Sequence, residues 1–393
     1  MSGFAVKGWC PGALRPMVSG DGLVVRIRPR GGRLSAEQVA GIAALSAQHG
    51  NGLIDLSSRA NLQIRGVTDT GYDALMAGLQ ALGLLDATAE AEARRNILVT
   101  PFWQAGDGAQ AIAAALAEAL AAPDAPDLPG KFGFAVDTGP VPVLGAASAD
   151  IRIEKGLNGL ICRADGAVRG VAVTAGTAVS AALRLAHWFV QTGGVQGGRG
   201  RMAGHVARCR EKISDENFSG REDFSSEKSS FFQAIPGPHV LGYLVGLEFG
   251  QISAATLAGL GAVRLTPWRM LLLEGVQAPP DLPGLISNAD DPLLRVVACT
   301  GAPGCPQGLQ PTRDLARGLA RHVPVGRTLH VSGCAKGCAM PKAQAITLVG
   351  QAEGFGFVPM GLAGDDPAIS GLAADRVLAD PSLITGGNHA AYL

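Results

Sequence analysis

Charge of one sign is what this chain most plainly lacks: 33 basic residues balance 33 acidic ones over 393 positions, for a net charge of zero. A protein that holds nucleic acid through a general basic field is thereby excluded. Long hydrophobic runs are lacking as well. Although 47% of the residues are apolar, no uninterrupted apolar stretch is long enough to cross a bilayer, which excludes a membrane-spanning helix. The opening Met1-Ser2-Gly3-Phe4-Ala5-Val6-Lys7 carries no signal-peptide pattern, so a cytoplasmic protein is expected. Cysteine is sparse, and seven in so long a chain is an odd set that argues against a disulfide framework. Lysine is scarce among the basic residues, 26 of the 33 being arginine. The guanidinium fork grips carboxylates two bonds at a time and stays charged when desolvated, so the bias suits a polyanionic ligand; a GC-rich coding sequence would produce it equally.

A nucleotide-cofactor turn is missing too. Gly198-Arg199-Gly200-Arg201-Met202-Ala203 spells G-x-G-x-x-A, but it follows Gly193-Gly194 and a helical pattern rather than a strand. No NAD(P)H or flavin site is therefore expected, and electrons would come from a separate protein. The seven histidines are scattered, with no pair at metal-ligand spacing.

What is present is concentrated in two short loops, Cys299-Thr300-Gly301-Ala302-Pro303-Gly304-Cys305 and Cys334-Ala335-Lys336-Gly337-Cys338. A C-x5-C followed by C-x3-C does not fit the usual zinc ribbons or thioredoxin pairs, but it suits four thiolates closing around a cubane 4Fe-4S cluster. Glycines at 301, 304, 333 and 337 let the backbone bend and bring N–H groups toward sulfur. Buried structural thiols are the bland alternative. Cys10, Cys162 and Cys209 are isolated and receive no ligand role.

The chain repeats itself. Gly22 to Arg28 reads as a strand, Ser35-Ala36-Glu37-Gln38 opens a helix through Gln48 with a capping box, and Leu53 to Leu56 and Leu62 to Val67 read as strands. From His239 the order returns: a strand through Val245, Ser253 capping a second helix, then Val263 onward. Leu56, Leu62, Ile64, Gly66 and Val67 match Leu265, Leu271, Leu273, Gly275 and Val276 at a constant offset. Two related α+β halves follow, each a small half domain (1–90 and 236–280) and a larger α/β segment (91–207 and 281–393), with a polar linker at 208–235. A pocket formed between two internal halves needs no second chain, so a monomer is expected.

A second dense stretch is Ser57-Ser58-Arg59-Ala60-Asn61-Leu62-Gln63-Ile64-Arg65. Strand alternation turns Leu62 and Ile64 to one face and gathers Arg59, Asn61, Gln63 and Arg65 on the other, a row of donors suited to an anion or, more blandly, to solvent. Arg95-Asn96 and Lys131 are candidates for the same pocket. No catalytic acid or base is singled out.

Together the C-x5-C and S-G-C-x3-C loops, the R-x-N-x-Q strand, the Arg-Asn dipeptide before a strand and the duplicated half domain resemble the sulfite and nitrite reductase family over nearly the whole chain. The opening Cys10-Pro11-Gly12-Ala13-Leu14-Arg15-Pro16-Met17 is most similar to the branch of that family that serves aerobic cobalamin biosynthesis. The resemblance implies an α+β fold of two pseudo-twofold halves, each a ferredoxin-like half domain with a larger α/β domain. It also implies a 4Fe-4S cluster on Cys299, Cys305, Cys334 and Cys338, and a tetrapyrrole between the halves. In the reductases the last cysteine, Cys338 here, joins the cluster to a siroheme iron, and four basic residues surround the inorganic anion. Arg59, Arg95 and Lys131 match three of them, but the K-x-K pair is reduced to Lys131-Phe132-Gly133. For the cobalamin branch the implied reaction is oxygen-dependent hydroxylation of precorrin-3A at C20 with lactone closure. Its partners would be dioxygen and an external electron donor, an NADH-linked reductase or a ferredoxin, with a further iron or a siroheme near Cys338 as a second centre. The alternatives are a siroheme-dependent sulfite or nitrite reductase and a non-catalytic iron-sulfur carrier.

Overall fold

The computed structural model describes residues 11–209 and 232–386. The expected linker at 208–235 falls mostly outside the described residues, and so does Cys10. In chain order the first half domain contains β1 (Met17–Ser19), β2 (Gly22–Ile27), β3 (Arg33–Leu34), α1 (Ala36–His49), β4 (Leu53–Leu56), β5 (Leu62–Val67) and α2 (Asp69–Ala81). The first α/β segment follows with α3 (Ala89–Arg94), β6 (Ile97–Val99), α4 (Ala109–Ala121), β7 (Phe134–Asp137), β8 (Ile151–Lys155), β9 (Leu160–Ala164), β10 (Val171–Val173), α5 (Ala175–Gln191) and α6 (Met202–Cys209). The second half domain has β11 (Gly237–His239), β12 (Gly242–Leu247), β13 (Gln251–Ser253), α7 (Ala254–Ala258), β14 (Val263–Leu265), β15 (Met270–Glu274) and β16 (Leu285–Ile286), which pairs with β12 and so carries this sheet past the boundary expected at 280. The last segment has β17 (Val296–Ala298), α8 (Arg313–Leu319), β18 (Leu329–Ser332), β19 (Gln344–Gly350), β20 (Phe355–Gly361), β21 (Ile369–Leu372), α9 (Ala374–Ala379) and α10 (Ser382–Thr385).

Local chemistry sets these boundaries. The capping box at α1 is present: Ser35 Oγ accepts from the Gln38 N–H at 3.2 Å, and the Ser35 N–H donates to Gln38 Oε1 at 3.1 Å. Ser253 caps α7 the same way, accepting from the Thr256 N–H at 3.0 Å. The strand expected from His239 to Val245 is instead a hairpin, β11 turning at Val240-Leu241 into β12.

The two half domains exchange strands. One sheet runs β1-β2-β5-β4-β13 and the other β11-β12-β15-β14-β3, with β16 paired to β12, so each half lends the short strand before its first helix to the other's sheet. A single core lies beneath both, with Ile27, Ile42, Ile54 and Ile64 packed against Val245, Ile252, Leu265 and Leu271. At about 1.5–3 kcal/mol per buried aliphatic side chain, this shared core outweighs any single polar contact between the halves. The α/β segments match as well. Strands β6-β7-β8 are parallel with β9 and β10 added antiparallel, and β17-β18-β19 are parallel with β20 and β21 added antiparallel. Both cysteine loops follow the carboxyl ends of adjacent parallel strands, β17 and β18, the usual place for a site in such sheets.

Candidate functional site

The loops after β17 and β18 are locked together by backbone contacts. The Gly333 N–H donates to Cys299 Sγ at 3.1 Å, Leu309 N–H to Gly333 O at 2.7 Å, and Cys305 N–H to Gly301 O at 2.8 Å. Thr312 Oγ1 donates to Cys299 O at 2.7 Å. A Cβ on Gly333 would stand 2.9 Å from the Gly301 Cα, so only glycine permits this approach. The four thiols are electrostatic neighbours. Burial pushes the Cys334 thiol up, and Cys299 and Cys305 add to the shift while the Lys336 N–H and ammonium oppose it. Desolvation also raises Cys338, with Lys336 opposing and the other three thiols adding. Among the described residues no three His, Cys, Asp or Glu side chains are placed to hold one metal ion. Four neighbouring thiols spread over two loops, with a backbone N–H already on sulfur, form a donor set suited to the corners of a cluster. Cys162, by contrast, is buried in the first α/β core, where desolvation pushes its thiol up to about 12.

The first half domain is clamped onto the first cysteine loop. Gly304 O accepts from Ser19 Oγ at 2.8 Å, from Arg65 Nη2 at 3.0 Å and from the Gly20 N–H at 3.2 Å. Arg65 is itself held by Asp21 at 2.7 and 3.1 Å.

From this clamp a polar row crosses the outer face of the sheet, Arg26, Gln63, Asp55 and Gln251 being consecutive cross-strand partners. Gln251 Nε2 donates to Asp55 Oδ1 at 2.8 Å, and Arg313 from α8 bonds both residues. The equivalent row in the other sheet is Leu244, Leu272, Arg264 and Arg33. There Leu244, Met270 and Leu272 form a small apolar core with Phe102 and Trp268 against them. Glu274 meanwhile neutralises Arg264 and Arg33. The duplicated faces have diverged, one polar and one filled.

The predicted donors do not form a single row. Arg59 lies in the turn before β5, because Ala60 takes φ 52° and breaks the strand alternation. Asn61 is buried ahead of the strand, while Gln63 and Arg65 share the outer face. Arg65 is engaged by Asp21 and the cysteine loop, as above. Arg95 is buried elsewhere, its guanidinium on both Asp86 oxygens at 2.7 Å and on Arg28 O at 2.9 Å. It lines a cleft of about 440 Å³ between Arg30, Asp86 and α4, none of whose lining residues belongs to the cysteine loops or the turn of Arg59. Asn96 donates to Gly130 O and Phe132 O at 3.1 Å and so shapes the loop carrying Lys131.

That loop is where Arg59 goes. Arg59 Nη2 donates to Lys131 O at 2.8 Å and to Ser148 Oγ at 3.4 Å, and a Cβ on Gly133 would stand 3.6 Å from Arg59 Nη1. Arg201 joins them, donating to Ser148 Oγ at 3.1 Å and to Asp150, which is buried and also accepts from the Gly133 N–H at 3.0 Å. Arg201 belongs to the G-x-G-x-x-A stretch, whose glycine-flanked arginines were the available signal. Arg269 was also missed. It stands at the position equivalent to Ala60, with φ 61°, and donates to Ala339 O beside Cys338 at 2.8 Å.

Residues 15–82 match the nitrite/sulfite reductase ferredoxin-like half domain. A curated precorrin-3B synthase from Sinorhizobium sp is 31% identical over 92% of this chain and 84% of its own length. The solved NirA protein of Mycobacterium tuberculosis superposes over 91% of this chain and 79% of its own with a TM-score of 0.57. At 17% identity that likeness speaks for the fold, which is the sulfite/nitrite reductase-like arrangement.

Proposed function

The chain belongs to the precorrin-3B synthase family, and from that premise we propose that it hydroxylates precorrin-3A at C20 with dioxygen and closes a lactone on the product. One oxygen atom enters the substrate and the other leaves as water, which takes two electrons and two protons. Dioxygen reacts sluggishly with closed-shell organic molecules, so the electrons must be delivered one at a time. A 4Fe-4S cluster on Cys299, Cys305, Cys334 and Cys338 would supply single electrons when bound. An NADH-linked reductase or a ferredoxin would refill it, and a siroheme or a further iron near Cys338 would be the second centre.

The observation that carries this reading is the divergence of the two sheet faces. Precorrin-3A is a large macrocycle rimmed with carboxylates, and the face bearing Arg26 and Gln63 is polar from strand to strand, whereas on its twin Leu244, Met270 and Leu272 are apolar and Glu274 already neutralises Arg264 and Arg33. Arg59, Arg201 and Lys131 at the edge of that face are the proposed carboxylate clamps, with Asn61 and Gln63 beside them. Arg65 and Asn96 are proposed to hold the walls, while Arg95, spent on Asp86 in a separate cleft, takes no part. Gly133 argues against an inorganic anion as substrate, because it removes a positive group beside Arg59, where a doubly charged anion would need one. Mass spectrometry of precorrin-3A incubated with enzyme, reductant and labelled dioxygen tests the proposal. One labelled oxygen in the product is expected; unlabelled product, or sulfite reduction by siroheme-loaded protein, would overturn it.

A further inference from the structure

His330 lies on β18, four residues before Cys334, between Val297 and Thr347 of the neighbouring strands. Its side chain is 0% exposed, and among the described residues neither ring nitrogen has a hydrogen-bond partner. Such a pair of unspent polar atoms is unusual, because a neutral imidazole always carries one N–H, and buried donors are nearly always matched. The nitrogen-bearing edge of the ring faces the second cysteine loop. Cε1, the atom between the two nitrogens, lies 3.7 Å from where a Cβ on Gly337 would sit. Gly337 itself has φ 60° and would press a side chain to 3.2 Å from the Ala363 Cβ, so glycine is what lets the loop approach the ring this closely. The half-buried Arg269 is close enough to act on the ring electrostatically, its Nη2 spent on Ala339 O. Burial, reinforced by Arg269, lowers the proton affinity of His330 to about 4, which keeps it a neutral donor at ordinary pH.

We propose that His330 donates its N–H to a sulfur of the cluster held by Cys299, Cys305, Cys334 and Cys338, and thereby sets the cluster's reduction potential. Sulfur is the acceptor chemistry carried by the loop this ring faces, through Cys334 and Cys338 on either side of Gly337, and a hydrogen bond to sulfide or thiolate favours the reduced state, whose extra negative charge it offsets. The inference rests on the cluster assignment and adds a residue that no cysteine spacing reveals.

Holoprotein with measured iron and sulfide is titrated by EPR. His330→Leu should keep its iron and shift the midpoint potential to more negative values, whereas His330→Gln, which keeps an N–H donor, should remain nearer the wild type. Because a core substitution could disturb folding, wild-type protein labelled with 15N-histidine is also read by pulsed EPR. A weak histidine-nitrogen coupling to the reduced cluster, absent in His330→Gln labelled the same way, is expected. An unchanged potential in iron-replete His330→Leu, or a wild-type spectrum without histidine coupling, overturns the role of His330 and leaves the cluster standing. Protein lacking iron and sulfide would overturn both.

Discussion

At the scale of single residues the site divides into side chains that face a ligand and side chains that hold other side chains. Arg59 is of the first kind in the proposed function: it reaches Lys131 O and Ser148 from a turn, with Arg201 on the same hydroxyl. Arg59→Ala should weaken precorrin-3A binding by about tenfold or more, since one charged hydrogen bond is worth at least about 1.4 kcal/mol, with iron content unchanged. Isothermal titration would show it, and an affinity indifferent to Arg59 would detach this turn from the substrate. For the thiols, Cys299→Ser, Cys305→Ser or Cys334→Ser should strip most of the iron, while Cys162→Ser and Cys209→Ser should retain it; equal losses from both sets would undo the ligand assignment. That the two cysteine loops come together was legible because two loops in one chain carry a spacing that means something by itself. The donor row was only partly legible. Alternation reads correctly through Gln63 and Arg65, but nothing in the letters signals that Ala60 is left-handed, and that single φ moves Arg59 off the strand. Arg95 misled for a different reason, since its partner Asp86 stands nine residues away in a segment without periodicity.

At the scale of elements, the β1–β2 turn works as a latch on the first cysteine loop. Gly304 O takes three donors, two of them from this turn, and the fit is close: a Cβ on Gly20 would meet Pro303 O at 2.3 Å. Arg65 is the largest part of the latch, its side chain 9% exposed and paired with Asp21. Arg65→Ala leaves Asp21 without its ion-pair partner, the Asn51 amide still donating to it, and Gly304 O with one donor fewer. It should cost about 3 kcal/mol, the lower end of what breaking a buried pair costs, because Asp21 remains partly solvated. The loop should also loosen, so iron release to a chelator should be faster than in wild type at the same temperature. Identical release kinetics would mean that the latch does not govern the loop. Elements with their own period or cap were legible, α1 with its Ser35–Gln38 box above all. The two-residue β3 and three-residue β13 were not, because so short a strand displays no alternation and its partner lies in the other half of the chain.

At the scale of the whole molecule the consequence of those two short strands is interdependence. Duplication was visible in the constant offset between Leu56 and Leu265 and their neighbours, and the matching positive φ values of Gly66 and Gly275 bear the register out. What the offset could not convey is that each half completes the other's sheet. A fold that already contains its own twofold partner has no need of a second copy, so sedimentation should find a monomer whose activity per molecule is independent of concentration. The strand exchange leads further. Residues 1–209 expressed alone would lack β13, leaving β4 as an open edge, and would expose the apolar surface that Val245, Ile252 and Leu271 cover. That fragment should therefore show no cooperative thermal transition by itself, and should gain one when mixed with residues 210–393. Because the core is shared, the intact chain's two half domains should melt together in calorimetry. A fragment of residues 1–209 that folds cooperatively alone would mean that each half is stabilised chiefly by its own α/β segment, and that the exchanged strands fasten two independent bodies rather than build one.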